Sequence, residues 1–239
     1  MDKFQRQAFL NKFLIGIVFL IVAYTFLTIF REMRDNFANE IWTSLGLGKD
    51  PAIFTLSELP VAIITLASLG LVAFIKHNFI AFNVILFIIL LGFILIIGAS
   101  VLFYLKLING VAWMISIGVG LYIGYVPFNA FLYERMISSF RVASNIGFVM
   151  YLSDAFGYLG SIGVIFIKNF FSPSISWVKF FVASGIWVSV AGIVLIIGSI
   201  IYFNNKHKYF IHLKEEVNGF AGAARKSVFT VDTRTPVYK

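Results

Sequence analysis

The chain has 239 residues, of which 60% are hydrophobic and only 13% are charged. A soluble domain carries about 25% charged residues and cannot hide so much apolar surface, whereas a lipid bilayer solvates that surface directly. The composition therefore excludes a soluble enzyme, and the lack of cysteine excludes a disulfide scaffold or a cysteine-based metal site. The net charge of +8 does not form a soluble basic patch interleaved with aromatic residues, so no nucleic-acid partner is expected.

Six segments are long and apolar enough to cross a membrane. A spanning helix needs about 20 mostly apolar residues to cross about 30 Å of hydrocarbon. The sequence therefore predicts an all-α polytopic membrane protein, with a six-helix transmembrane domain over residues 1–205 in contact with the lipid bilayer. The segments lie at about 13–30, 51–75, 79–103, 108–133, 145–167 and 177–202.

The connections and prolines predict how these helices are arranged. The second and third segments are separated only by the basic turn at residues 76–78, which predicts an antiparallel hairpin. Pro60 lies inside the second segment and Pro127 inside the fourth. Because proline lacks a backbone N–H, each is expected to bend its helix.

The basic residues predict the orientation of the chain. If successive connections are assigned alternately to the two sides of the membrane, 13 of the 19 Lys and Arg residues lie on the side of both termini and 6 lie on the opposite side. Cytoplasmic loops and ends carry such an excess, so both termini are expected in the cytoplasm. Residues 206–239 are expected to form a basic cytoplasmic tail that is disordered over residues 232–239.

Small residues recur at four-residue spacing in the fourth and fifth segments. Helices in lipid pack closely where small side chains allow the backbones to approach. Such stripes predict tight packing against neighbouring helices and do not by themselves indicate a function. They comprise Ala112, Ser116, Gly120 and Gly124 in the fourth segment, and Ser153, Gly157 and Ser161 in the fifth.

Asp154 is the strongest candidate for a functional residue, because it lies near the middle of the fifth segment between uncharged runs. Helical spacing places Tyr151, Asp154 and Tyr158 on one polar face, which is predicted to line the interior of the bundle. A charged group at that depth needs a partner, a water-filled cavity or a function. Asp154 is therefore either a protonation site or the partner in a structural hydrogen bond or ion pair with another span.

Five further residues complete the candidate pathway. Tyr125 and Asn129 belong to a polar stripe on the fourth segment. Glu58 lies two turns into the second segment, where it is either at the outer interface or a buried ionisable group. At the end of the first segment, Arg31 and Asp35 are four residues apart and can pair on one helix face. Arg31 is either part of a solvated helix end or an anion-binding or gating residue.

No enzyme motif is visible in the sequence. The glycines lie within apolar segments rather than after strands, so they do not form a phosphate-binding loop. No nucleophile stands with a base, and no cluster of histidines and carboxylates has the spacing of a metal site. We expect no enzymatic activity, no metal and no cofactor.

Six helices with cytoplasmic ends and a short basic turn after the second resemble half of a major facilitator superfamily transporter. The corresponding turn in that superfamily carries Gly-x-x-x-Asp followed by Gly-Arg-Lys, of which this chain keeps Gly70 and Lys76. The resemblance implies a half-facilitator-like fold of two inverted three-helix repeats. The chain is also similar to the C-terminal half of a facilitator-like bacterial family of unknown function, on the strings at residues 34–38, 40–42, 125–129 and 154–160.

The resemblance implies a secondary transporter half that moves a small solute along a pathway lined by Asp154, Tyr158, Tyr125 and Asn129. Asp154 would be the site of protonation. Half of a facilitator requires a second six-helix half, either another copy of the chain or an N-terminal counterpart. The alternative is a non-transporting membrane subunit or scaffold of a larger complex, with the outer loop and the basic tail as docking surfaces.

Overall fold

The computed structural model describes residues 3–140, 145–171 and 176–231. Within these ranges the regular structure is entirely helical, and six helical stretches are long and apolar enough to cross a membrane. The predicted class, an all-α polytopic protein, is therefore confirmed. The elements are α1 (Lys3–Asn36), α2 (Ala38–Ser44), α3 (Ala52–Ala73), α4 (Asn78–Tyr104), α5 (Gly110–Pro127), a π-helical turn (Phe128–Leu132), α6 (Tyr133–Phe140), α7 (Ile146–Phe171) and α8 (Trp177–Val231).

The six spans overlap the six predicted segments, but the fourth span continues beyond its predicted end. It runs over Gly110–Phe140, because the chain does not leave the helix after Pro127 but widens into the π-helical turn and continues as α6. The missing N–H of Pro127 interrupts the regular α-helical bonding, and the wider turn accommodates the interruption. Pro60, by contrast, lies inside α3, which is α-helical from end to end.

The predicted tail begins inside a helix. α8 continues from Trp177 through residue 206 to Val231, because lysine, glutamate and alanine are good helix formers even where the apolar run has ended. The expected disorder of residues 232–239 lies outside the described residues. The described residues up to Ile200 form one compact unit, and those from Ile201 onward form a second.

Helix α5 is the packing centre of the first unit. The turn at residues 74–77 joins α3 to α4 as predicted, with the His77 imidazole accepting from the Ile80 amide at 3.4 Å. However, α3 and α4 each pack mainly on α5 rather than on each other. The expected hairpin is therefore a close connection along the chain and not a close helix pair.

Glycines allow α4 and α5 to approach at the backbone. A Cβ atom built on Gly92 would lie 3.1 Å from the Gly124 backbone, and one built on Gly120 would lie 2.7 Å from the Gly92 carbonyl oxygen. The second half of the predicted stripe thus lies at this crossing. Ala112 is exposed and Ser116 is half-buried, because they precede the crossing near the start of α5. The packing stripe is shorter than predicted.

Helix α7 packs along α1 through the small residues predicted for that purpose. Ser153 and Ser161 are buried, and Gly157 lies between them. A Cβ atom on Gly157 would come to 3.0 Å from the side chain of Thr28 on α1. This close contact aligns the neighbouring face of α7 with the middle of α1.

Gly157→Val is expected to weaken the contact between α1 and α7 and to destabilise the protein by about 2 kcal/mol, because the added carbons overlap Thr28. Gly163→Val on the same helix is the matched control, since a Cβ atom there meets nothing within 4 Å. Denaturation of the two purified variants in mild detergent gives the comparison. Equal losses of stability would show that the valine, and not the contact, is responsible.

Candidate functional site

A hydrogen-bonded group of polar side chains joins three spans, and we call it the midspan cluster: Tyr24, Tyr125, Asn129 and Asp154. The Tyr24 hydroxyl donates to the Asp154 carboxylate, and the Asn129 amide donates to the Tyr24 oxygen at 3.0 Å. The hydroxyls of Tyr24 and Tyr125 lie 3.2 Å apart, and their rings stack with centroids 5.3 Å apart. Each residue lies near the middle of its span, so the cluster is at membrane depth.

The π-helical turn supplies Asn129. This turn follows directly on Pro127, and π-helical turns inside α-helices occur frequently at functional sites. The amide nitrogen of Asn129 also lies 3.5 Å from the hydroxyl of Tyr125, four residues earlier. The interrupted helix therefore places two cluster residues from one span against Tyr24 of α1.

Arg31 lies beside the midspan cluster. Its guanidinium carbon is 4.4 Å from the centroid of the Tyr125 ring, and it forms an ion pair with Glu32. The predicted pairing of Arg31 with Asp35 is therefore wrong. Asp35 turns instead toward α5, where the Tyr122 hydroxyl donates to it at 3.1 Å.

A second polar group lies on the side of the bundle where α1 ends and α3 begins. Both terminal nitrogens of Arg34 donate to the Glu58 carboxylate, at 2.6 and 3.2 Å, and we call this pair the Arg34–Glu58 bridge. The guanidinium lies against Gly118 of α5, where a Cβ atom would be 2.7 Å from Nη2. Glu58 is thus the half-exposed partner of a buried arginine.

The face of α7 that was predicted to line the interior of the bundle is only partly buried. Asp154 is half-buried and joins the cluster, but Tyr151 is 78% exposed and Tyr158 is 53% exposed. The prediction is wrong for these two tyrosines, because α7 packs along α1 through the adjacent face that carries Gly157. Tyr158 nevertheless remains a neighbour of the Arg31 guanidinium.

Two residues of these groups are not among the predicted site residues. Tyr24 makes the most contacts in the midspan cluster, and Arg34 is the buried member of the bridge. The spacing of Tyr24, Thr28, Arg31 and Asp35 along one face of α1 is a signal that could have indicated Tyr24. No comparable signal exists for Arg34, because its partner and the glycine beneath it come from other helices.

Asp154 has no cationic partner in the part of the chain that the structure describes. The ion pairs found there join Arg31 to Glu32, and Arg34 to Asp35 and Glu58. Nor do the described His, Asp and Glu residues gather in a group of three that could hold a metal ion. Within the described residues, the midspan cluster is therefore held together by hydrogen bonds and not by an ion pair.

The six spans and the polar groups between them define a multi-pass membrane protein that contacts the lipid bilayer. The chain belongs to a family described as "Family of unknown function (DUF5690)", which matches residues 1–206. No curated protein and no solved structure matches the chain. The family assignment does not link the chain to the major facilitator superfamily, so that resemblance stays a prediction.

Proposed function

We propose that the protein is half of a facilitator-like secondary transporter that moves a small solute across the bacterial inner membrane, with both termini in the cytoplasm and Asp154 as the protonation site. The observation that carries the proposal is the midspan cluster, in which a half-buried carboxylate without a described cationic partner bonds to Tyr24 at membrane depth. Ionisable residues at this depth mark ion and substrate pathways. Sites for substrates and coupling ions in secondary transporters lie near the bilayer midplane.

One side of the midspan cluster is not fully covered by the helices of this chain, and this exposure supports the requirement for a second six-helix half. Arg31 and Asp154 are half-buried, and Tyr151 and Tyr158 are exposed beside them. Direct contact of these groups with lipid tails would be costly. A second bundle, or water held between two bundles, would solvate them. Another copy of the chain or an N-terminal counterpart would then place the pathway between the two halves.

Asp154→Asn is expected to reduce transport driven by a pH gradient to the rate of protein-free liposomes, because the amide cannot carry the coupled proton. Proteoliposomes containing a pH-sensitive dye report proton movement on addition of candidate solutes. Glu40→Gln, which changes an exposed carboxylate on α2, is the matched control and should transport normally. An Asp154→Asn protein that folds and still transports with full pH dependence rules out the protonation role.

A non-transporting membrane subunit is the second candidate, and the reduced turn motif between α3 and α4 favours it. α2 is docked on the bundle through Ile41 and Trp42, so a partner would meet its opposite, exposed face. Purification in mild detergent separates the two candidates. Unrelated subunits that co-purify in fixed ratio favour a complex, whereas a second copy or another six-helix protein favours the transporter.

A further inference from the structure

Which side chains donate and which accept hydrogen bonds in the midspan cluster depends on whether Asp154 carries a proton. The Tyr24 hydroxyl has one proton and three polar neighbours: Asp154, Tyr125 at 3.2 Å and Asn129 at 3.0 Å. The Asn129 amide donates to Tyr24, so the single Tyr24 proton goes either to Asp154 or to Tyr125. These two arrangements are mutually exclusive.

The proton on Asp154 selects between them. An ionised carboxylate only accepts, so Tyr24 then donates to Asp154, and Tyr125 donates in turn to Tyr24. A protonated Asp154 can instead donate its O–H to the Tyr24 oxygen, and the Tyr24 hydroxyl then donates a hydrogen bond to the Tyr125 oxygen. The hydroxyl proton of Tyr125 then loses its acceptor on Tyr24. Protonation of Asp154 therefore leaves Tyr125 with a free donor.

A second donor lies next to this hydroxyl. The Arg31 guanidinium stacks on the Tyr125 ring, and its Nε atom is buried without a hydrogen-bond partner although its terminal nitrogen pairs with Glu32. A buried donor without a partner costs about as much as a lost hydrogen bond, so this atom favours a ligand that accepts. The unpaired Nε atom of Arg31 and the hydroxyl of Tyr125 thus belong to two stacked, half-buried side chains.

The charges around Asp154 decide which ligand fits. Tyr24 of α1 contacts Asp154 directly, and Tyr133 of α6, whose hydroxyl bonds to Ser153 at 2.6 Å, interacts with it electrostatically. Tyr125 of α5 is bonded to Tyr24, and Arg31 of α1 stacks on Tyr125. Asp154 is the carboxylate among these groups, so proton uptake at Asp154 changes the charge of the site. Because Arg31 is already paired with Glu32, an ionised Asp154 adds a negative charge that repels anions, and protonation of Asp154 removes that charge.

We infer, on the basis of the proposed function, that the midspan cluster binds a carboxylate-bearing solute together with one proton. Arg31 Nε and the Tyr125 hydroxyl donate to the solute, and Asp154 takes up the proton that releases the Tyr125 donor. The step transfers one proton to the Asp154 carboxylate and breaks no other covalent bond. Solute and proton therefore bind with positive cooperativity and move in the same direction.

Thermal unfolding of the full chain in detergent tests this inference, with lactate, succinate and benzoate as probes and benzylamine as a cation shaped like benzoate. We expect at least one carboxylate to stabilise the protein, more strongly at acidic than at neutral pH, and benzylamine not to do so. Tyr125→Phe should lower the apparent affinity for that carboxylate about tenfold, the effect of one hydrogen bond to a charged group. Tyr104→Phe, which changes a 75% exposed hydroxyl, should leave it unchanged.

Two further variants keep the test decisive. Asp154→Asn should bind the carboxylate without pH dependence, because the amide donates to Tyr24 as the protonated acid does. Arg31→Lys keeps the charge but lacks the Nε donor, and it should weaken binding even if Tyr125→Phe fails to fold. Stabilisation by benzylamine alone, no effect of any carboxylate, or carboxylate binding that neither Tyr125→Phe nor Arg31→Lys weakens would overturn the inference.

Failure of this inference can be told apart from failure of the proposed transport. Carboxylate binding that depends on pH, without transport that depends on Asp154, retains the binding site and removes the transporter. Transport that depends on Asp154, without carboxylate binding, retains the transporter and overturns the anionic solute.

Discussion

Gly92→Val is expected to destabilise the protein by about 3 kcal/mol, the largest effect we expect from a single added side chain. The atoms that a Cβ on Gly92 would meet belong to the backbone of α5 at Gly120 and Gly124. A flexible side chain could rotate away, but a helix backbone cannot. The two helices must therefore separate, and α5 is also the helix on which α3 packs.

Gly98→Val provides the matched control for this substitution. Gly98 lies in the same helix, six residues after Gly92, and a Cβ atom there meets nothing within 4 Å. Both variants carry the same intrinsic cost of a β-branched residue in a helix, so the difference between them isolates the packing. Denaturation in mixed detergent micelles measures that difference. Similar stabilities for the two variants would contradict the close approach of α4 to α5.

Glu58→Leu is expected to be more destabilising than Arg34→Met, although the two substitutions break the same bridge. The Arg34 side chain is only 3% exposed and the Glu58 side chain is 49% exposed. Removal of Glu58 leaves a buried guanidinium whose remaining charged partner is Asp35 at 3.7 Å. This substitution should cost about 3 kcal/mol. Removal of Arg34 leaves a half-exposed carboxylate instead of a buried charge, and it should cost about 1 kcal/mol.

The double variant completes the test of the bridge. With leucine and methionine in place of the two bridge residues, no charge of the bridge remains buried. The double variant should therefore be more stable than Glu58→Leu alone. A double-mutant cycle on the free energy of unfolding gives the coupling between the two side chains. If Arg34→Met costs as much as Glu58→Leu, the asymmetric burial of the pair does not control its energetics.

The number and approximate places of the spans could be predicted from the sequence, because they depend on the local run of apolar residues against the thickness of the bilayer. The same holds for the disturbance at Pro127, since a missing N–H is a property of the residue itself. That the disturbance takes the form of a π-helical turn which presents Asn129 depends on the helices packed around it. The small-residue contacts at Gly120, Gly124 and Gly157 were predictable as packing sites, but their partner helices were not.

The sequence by itself determined that this is a multi-pass membrane protein with a carboxylate at membrane depth, because hydropathy and helical length are local quantities. Only the tertiary structure decided which residues surround that carboxylate. Tyr24 meets Asp154 across 130 residues of chain, and Arg34 meets Glu58 on a different helix. Tyr151 and Tyr158 share the helical face of Asp154 yet are exposed, because the side of a helix that is buried depends on where its neighbours lie.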